Sequence, residues 1–466
     1  MMCVRAFLRC GPVACCLSLL AACGFPKPPD VAACSQASDC ASSAPFCVSG
    51  ECVAGCQSND DCTSAGSPLC DTSSGMCVAC LDATSCSADR PFCDSAANVC
   101  RGCERDSECG SGVCLVADGT CADSSAVLHV AGASASDTGD CPSESPCATL
   151  QYAISRATQT RNVVLVHAGA LFPTAITTID RAVYIAGNGA TIAWQGDLFA
   201  VAQFTTATLD NMTLQPGGSQ NPKIATVASS SSLRLSRITG SQGGVTTTGG
   251  TIAAINSSFS SAFIGCMNGA ISVTASTFKD STVGGTNCQV SVRQSRFEET
   301  ADGSVSIEGG VAQIENNVIV NAYELADSMH VVAVAPGSYV WFNTFVNSSG
   351  VASDGVAPYC DNTPAVTSNI FAYGSMHPNN VSPQCMARYS LYDTVALPEQ
   401  TAGTENKVAD SSTFFVDKGA KDFHLSTASP AKGGGEPGLG VAQDLAGTPR
   451  PSQPGSRPDI GAYQAQ

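Results

Sequence analysis

Ser257-Ser-Phe259, Ser276-Thr-Phe278 and Ser295-Arg-Phe297 repeat one three-residue word at intervals of 19 residues. The word is a small polar residue, a variable residue and a large apolar one. Upstream it reads Ser236-Arg-Ile238 and begins at Asp210-Asn-Met212. Downstream it reads Asn316-Asn-Val318, Asn343-Thr-Phe345 and Asn369-Ile-Phe371. The apolar positions are 26, 21, 19, 19, 21, 27 and 26 residues apart. Between the words, Ile271-Ser-Val273 and Val290-Ser-Val292 alternate with the period of a strand. Short strands that return every twenty-odd residues, with one inward residue at a fixed place, predict a stack of coils. A single coil cannot bury its apolar side, whereas coils stacked ~4.8 Å apart share one continuous core. The phenylalanines then stand above one another, and the Asn side chains form a ladder. The alternative is a β-sandwich with irregular strand spacing.

The two ends of this body carry their own patterns. Cys141 and Cys147 close a small loop, after which Leu150, Ala153, Ile154 and Ala157 fall at i, i+3, i+4 and i+7. That spacing predicts an amphipathic helix able to cover the open end of a stack. Strands are expected at Val163–Val166 and Val183–Ala186. The run Cys-Ala-Thr-Leu-Gln-Tyr-Ala over 147–153, with turns at His167-Ala-Gly169 and Gly187-Asn-Gly189, resembles the start of bacterial right-handed parallel β-helices. Toward the other end stand Phe415-Val-Asp417, Asp422-Phe-His-Leu425, Ser429-Pro-Ala431, Asp444-Leu-Ala-Gly447, Arg450-Pro451 and Asp459-Ile-Gly-Ala-Tyr463. These resemble the carboxy-terminal end of the choice-of-anchor Q family, pectate-lyase-like β-helix proteins held at bacterial surfaces by differing means. The resemblance covers roughly residues 125–466 and departs at Lys432-Gly-Gly-Gly435. It implies a mainly β chain, with a right-handed single-stranded parallel β-helix over 124–415 and a closing region over 416–466. The terminal Asp and Arg residues would pair and cap the last coil.

Composition narrows the class. Of 466 residues only 13% are charged, against about 25% in an average soluble domain, which excludes coiled coils and charge-driven disorder. Thirty-nine acidic residues against 22 basic ones give a net charge of −17. Phosphate binding needs clustered Lys and Arg, so nucleic acid is excluded as a partner. Arg5 and Arg9 precede the apolar stretch Gly11 to Leu20, a secretory signal too short to span a bilayer. The stretch ends in Leu20-Ala21-Ala22-Cys23, which resembles the bacterial lipobox. That resemblance implies cleavage after residue 22, diacylglycerol on the Cys23 thiol and a membrane partner reached through the lipid. Acyl chains contribute about 0.8 kcal/mol per buried methylene. Gly24 follows, not the Asp that often retains such lipoproteins at the inner membrane, so the expected address is the outer membrane or cell surface. Loss of Arg5 and Arg9 with residues 1–22 takes the charge from −17 to −19. No later run of 18 apolar residues predicts a transmembrane helix.

The chain has 27 cysteines, too many for a reducing cytosol. Beyond a Pro-rich tether over 23–33, four units of four fill residues 34–121. They are Cys34/Cys40/Cys47/Cys52, Cys56/Cys62/Cys70/Cys77, Cys80/Cys86/Cys93/Cys100 and Cys103/Cys109/Cys114/Cys121. Five residues always separate the first two, with an acidic or polar residue before the second. Almost nothing else in the units could build a core, so covalent staples must replace it. The spacing resembles that of small secreted cysteine-rich modules, including the amino-terminal region of dickkopf-type proteins. Cys77-Val-Ala-Cys80 and Cys100-Arg-Gly-Cys103 have zinc-site spacing, but each pair straddles a unit boundary. With Cys3, Cys10, Cys15, Cys16 and Cys23 removed or lipidated, 22 cysteines remain, the other six being Cys141, Cys147, Cys266, Cys288, Cys360 and Cys385. An even number in an exported chain predicts disulfides and no zinc. Their connectivity stays open.

A β-helix that cleaves acidic polysaccharide needs stacked carboxylates for calcium and a nearby Arg or Lys as base. The 19-residue coils place Asp280 beside Glu299, and Lys279 beside Glu298. Ser261 on one side and Val320 on the other stop that row at two acids. Arg293 and Arg296 are the candidate bases, and calcium is the one cofactor such a row would hold; the simpler reading is a surface ion pair on each coil. Glu324, Asp327 and His330 form a second polar cluster, read as a solvated loop. The five histidines fall singly, and no Ser/His/Asp motif, phosphate loop or nucleotide fingerprint is present. The expectation is a lipid-anchored surface protein that serves display, adhesion or glycan binding without catalysis, its partner a polysaccharide or another surface protein. The alternatives are a polysaccharide lyase or hydrolase on the same fold, and a purely structural envelope protein.

Overall fold

The computed structural model describes residues 35–465 except 37–38, 41–45, 49–50, 54, 57, 88, 168, 172, 174, 218–221, 299–302, 322–328, 333, 348–358, 361–363, 374–382, 386, 395–400, 402, 452 and 454. The expected signal, the tether with Cys23, and Cys34 lie outside the described residues. Two units emerge, Met1–Glu104 with Leu115–Thr120, and Arg105–Cys114 with Cys121–Gln466. No helix among the described residues is long and apolar enough to cross a membrane.

The larger unit is a parallel β-solenoid. Val127–Val130 pairs with Val163–Val166, which pairs with the first part of Val183–Trp194, and the parallel ladder continues coil by coil to Leu391–Asp393 and Lys407–Ala409. Inward residues such as Ile252, Ile271 and Val290 on adjacent coils are almost fully buried. At one corner of each coil a residue sits in the left-handed region. Arg237, Asn256, Ala275, Gln294, Asn316, Phe342, Ser368 and Tyr389 have φ between 47° and 60°. Outside glycine such a φ costs about 1–2 kcal/mol, so something must hold it. The next residue provides the hold, because its side chain turns inward and accepts the backbone N–H of the coil before. Ser257 N–H donates to Ser276 Oγ (3.1 Å), Ser276 N–H to Ser295 Oγ (3.2 Å) and Ser295 N–H to Asn317 Oδ1 (2.9 Å). Asn317 donates likewise to Asn343, Asn343 to Asn369, Asn369 to Ser390 and Ser390 to Asn406. This buried ladder fixes the register of coils that differ in length.

Two residues further on, the large apolar side chains stack. The Phe259 and Phe278 rings are 5.3 Å apart, Phe278 and Phe297 4.7 Å, and Phe345 and Phe371 5.3 Å. The pairings correct the sequence words at two places. Phe297 stands beside Ile319, not Val318, because Asn316 takes the corner and Asn317 the ladder. Phe259 stands beside Gly240, not Ile238. A Cβ on Gly240 would lie 2.9 Å from the Phe259 ring, so the first phenylalanine of the stack needs a glycine beneath it.

The helix forms over Leu150–Arg156, its N-terminus capped by Thr149, whose hydroxyl accepts from Tyr152 N–H as helix caps require. Leu150, Ala153 and Ile154 are buried, and the helix packs on Val127–Val130, the first coil. The closing region departs from the expectation that it caps the last coil. It runs along the flank, where Phe414, Phe415, Phe423, Leu425, Ile460 and Ala462 cover the outward side of Val318, Val320, Val346, Ile370 and Ala372. That side is apolar and would otherwise face water. Arg450 is buried; it donates to Asn316 Oδ1 (2.8 Å) and lies 4.1 Å above the Phe342 ring. Asp459 accepts from Gly433 N–H and Ala465 N–H, and Asp444 from Thr448 and Gln464, so these acids hold the region's own turns.

Arg105–Cys114 belong to the solenoid unit through one buried polar cluster. Arg237 pairs with Asp210 and lies 3.4 Å from Asp106. The same Asp106 accepts from Asn211 Nδ2 (2.6 Å) and Cys114 N–H (2.9 Å), and Tyr184 donates to Asp210 (2.7 Å). Both acids are almost fully buried.

The cysteine units close on themselves. Cys56 bonds to Cys70 and Cys62 to Cys77; Cys80 bonds to Cys93 and Cys86 to Cys100. First pairs with third and second with fourth, and the fourth unit's Cys109–Cys121 bridge and the first unit's Cys40–Cys52 bridge follow the same order. Cys103 and Cys114 are disulfide-bonded as well. Each middle unit is a hairpin, Leu69–Asp71 on Met76–Val78 and Phe92–Asp94 on Val99–Arg101. In the solenoid unit Cys141–Cys147, Cys266–Cys288 and Cys360–Cys385 are bonded. Cys47 faces Cys52 across a short hairpin.

Candidate functional site

On the strand before each corner, the residues two and four places ahead of the ladder residue face outward. They form two rows along the solenoid. One runs Ser272, Ser291, Gln313, Tyr339; the other runs Thr274, Arg293, Glu315, Trp341. Where the rows reach Tyr339 and Trp341 the surface sinks into a cleft of about 510 Å³, walled on one side by Leu439–Gln443 of the closing region. That wall is fixed to the corner residues, since Gln294 Nε2 donates to Asp444 O and Asn316 Nδ2 to Gln443 O, both at 2.8 Å.

The floor combines aromatic faces with polar groups. The Tyr339 and Trp341 rings stack with centroids 4.0 Å apart. Arg293 donates to Gln313 Oε1 (3.2 Å) and to the Tyr339 hydroxyl (3.1 Å), and its Nε lies 3.3 Å from Glu315 Oε1. Burial first, then the Glu315 carboxylate, push the Tyr339 hydroxyl above its ordinary range. Among the described residues none accepts a hydrogen bond from Trp341 Nε1. A concave surface with aromatic side chains and a few convergent polar groups is the usual form of a small-molecule site.

Of the residues that a catalytic row would use, Arg293 lines this cleft, and Asp280 and Arg296 are not among its described lining residues. Arg296 faces the closing region: it pairs with Glu298, which also accepts from Lys421 (2.7 Å), and its guanidinium lies 5.4 Å from the Phe423 ring. Burial raises the Glu298 carboxyl, but the Lys421 and Arg296 hydrogen bonds hold it below the usual range. Asp280 turns a second corner at φ 46° and accepts from Ser261 Oγ (3.2 Å). Glu299, Glu324 and Asp327 lie outside the described residues. Arg293 and Arg296 thus serve different surroundings and share no partner in these contacts.

The histidines are less scattered than their spacing suggests. His129 Nδ1 and His167 Nε2 meet at 3.0 Å on adjacent coils. Burial, followed by His167 and Arg161, keeps His129 below its ordinary range. His330 stacks on Tyr359 at 5.0 Å. Two cysteine triads, Cys56/Cys62/Cys77 and Cys80/Cys86/Cys100, bring sulfurs within 4.8 Å of one another. All six sulfurs are in disulfides, so the closeness comes from two bridges crossing in each repeat and not from ligand geometry.

Glu315, Tyr339 and Trp341 had no place in the sequence expectation. The signal was available: Tyr339-Val-Trp341 ends two residues before the ladder word at Asn343, the same offset that turns Ser291 and Arg293 outward.

Comparison with known proteins adds three findings. Residues 23–127 match a family of unknown function (DUF8331). No curated protein matches the chain. Among solved structures, the crystal structure of pectate lyase Pel9A is similar over 73% of this chain and 96% of that one, at 11% identity and a TM-score of 0.40, which assigns neither activity nor substrate.

Proposed function

We propose that this chain is an exported, lipid-anchored surface protein whose β-solenoid binds glycan in the Tyr339/Trp341 cleft without cleaving it. The stacked aromatic pair beside Arg293, Gln313 and Glu315 carries the reading. Ring faces complement the C–H faces of a sugar, while side-chain amides, carboxylate and guanidinium suit its hydroxyls. Catalysis is less well supported. A general base should titrate near the working pH, yet Tyr339 is pushed up. Glycoside hydrolysis needs two carboxylates, and Glu315 is the one acid among the described lining residues, already opposite Arg293.

Trp341→Ala is expected to lower affinity for a bound oligosaccharide about tenfold or more, the loss typical of a central aromatic contact. Polyuronates incubated with the protein, with and without calcium, are expected to yield no unsaturated ends in the ultraviolet. Turnover abolished by Asp280→Ala, with the fold intact, would replace this reading with the lyase.

The anchor rests on Leu20-Ala21-Ala22-Cys23, and the family match begins at residue 23. Wild-type protein is expected in the detergent phase on partitioning, and Cys23→Ala in the aqueous phase. Wild-type protein found wholly in the aqueous phase, without lipid, refutes the anchor.

A further inference from the structure

Nine of the ten arginines between Arg156 and Arg457 hold a carboxylate or a backbone carbonyl. Arg234 is the tenth, and it forms no hydrogen bond or ion pair with any described residue. It stands half-buried between the inward-facing Leu233 and Leu235, so its side chain turns outward. Its neighbours in register, Thr208 and Ala253, carry no charge. In a chain of net charge −17 a guanidinium left without an acid is the exception. Its planar fork of donors is open to an anion from outside.

The row that carries Arg234 is the one that leads to the cleft. Arg234 stands beside Ala253, Ala253 beside Ser272, Ser272 beside Ser291, Ser291 beside Gln313 and Gln313 beside Tyr339. Arg234 and the aromatic pair are thus five rungs apart, ~24 Å at ~4.8 Å per rung. Between them Thr251, Ala270, Gln289 and Val311, with Ser272 and Ser291, border a hollow of about 320 Å³ that has no charged side chain among its described lining residues. Beyond this hollow Arg293 already faces Glu315 at 3.3 Å. The face therefore offers an open cation, then an uncharged floor, then stacked rings.

We propose that this face holds a linear glycan of mostly neutral units, and that a single acidic group on the glycan docks on Arg234. The proposal rests on the glycan-binding reading and names the class of ligand. A glycan acidic at every unit fits poorly. At about one unit per rung it would set carboxylates over the uncharged hollow and against Glu315, on a protein that is itself acidic. One isolated acidic group instead meets two parallel N–H donors of the guanidinium. Arg234 selects for one acid at a set distance from the stacked rings, and not for total charge.

The test uses the full chain and linear neutral gluco-, manno- and galacto-hexasaccharides. Each is compared with the same chain bearing a single carboxylate at one terminus or the other, and with a hexauronate. For the series that binds, a carboxylate at one terminus should strengthen binding about tenfold, and one at the other terminus should not. Arg234→Gln should abolish that gain but leave the fold and the neutral hexasaccharide unaffected, because it breaks no contact within the protein. The gain should also shrink as salt is added. The hexauronate should bind more weakly than the singly charged chain. Equal binding of charged and neutral chains, a gain that survives Arg234→Gln, or tightest binding of the hexauronate overturns the role of Arg234. Glycan binding then still stands if Trp341→Ala weakens it. If no chain of any series binds, both readings fall.

Discussion

Full reduction of the protein should unfold residues 56–100 and leave the solenoid standing. In the smaller unit the buried apolar residues among those described are Cys56, Cys70, Val78, Cys80 and Cys103. Val78 is the single one that is not a cysteine, and one valine contributes at most ~1.5–3 kcal/mol by burial. The four bridges of the two middle units close loops of 13–15 residues, each stabilising by about 3 kcal/mol in the chain-entropy model. Nothing else there offsets the entropy of the open chain. The solenoid stands differently, because its Cys141–Cys147, Cys266–Cys288 and Cys360–Cys385 bridges sit beside a continuous apolar core. Hydrogen exchange before and after complete thiol titration separates the two. Amides of 69–78 and 92–101 should lose protection entirely, while those of the Phe278 and Phe297 coils keep it. Protection that survives across 69–101 with every thiol free would show a core the burial pattern lacks. One zinc per unit in the exported protein would overturn the disulfide reading as well.

The solenoid was legible because its signal repeats. Ser257, Ser276 and Ser295 recur at equal spacing, and three coils of one length can be superimposed by counting. Counting fails where coil length changes. Between Phe297 and Phe345 lies one coil whose ladder residue is one of two adjacent asparagines, and only stacking assigns Asn316 to the corner and Asn317 to the ladder. The same uncertainty hid the cleft. Arg293, Glu315 and Trp341 belong to coils of unequal length, so their alignment is a property of the hydrogen-bonded register and not of the spacing. The Leu439–Gln443 wall comes from about 100 to 150 residues further along the chain, which no local pattern announces. Asp280, by contrast, is a carboxylate on an equally spaced coil, where counting alone could align it with Glu299 as a candidate for the lyase alternative.

Asn343→Leu is expected to destabilise the solenoid by about 4 kcal/mol or more, although the two side chains are close in size. Asn343 Oδ1 accepts from the backbone N–H and the side-chain Nδ2 of Asn317, at 3.0 and 2.9 Å. Its own Nδ2 lies 3.0 Å from Ile314 O, 3.0 Å from Trp341 O and 3.1 Å from Asn369 Oδ1. Asn317, Asn343 and Asn369 are fully buried, so water cannot replace what leucine removes. Two donors of Asn317 would be left without an acceptor, each at a cost of about 1–3 kcal/mol, and the Ile314 carbonyl would lose a donor. Asn343→Ser should cost far less, since a hydroxyl accepts the same backbone N–H in the coils of Ser276 and Ser295. Chemical denaturation of the three proteins decides the matter. A Leu variant within about 1 kcal/mol of wild type would mean that the phenylalanine stack alone sets the register. Because Asn343 follows the corner beyond Trp341, the same variant should also loosen the cleft and weaken glycan binding. The Ser variant should hold both, since what positions Trp341 is the acceptor that anchors its coil to the one before.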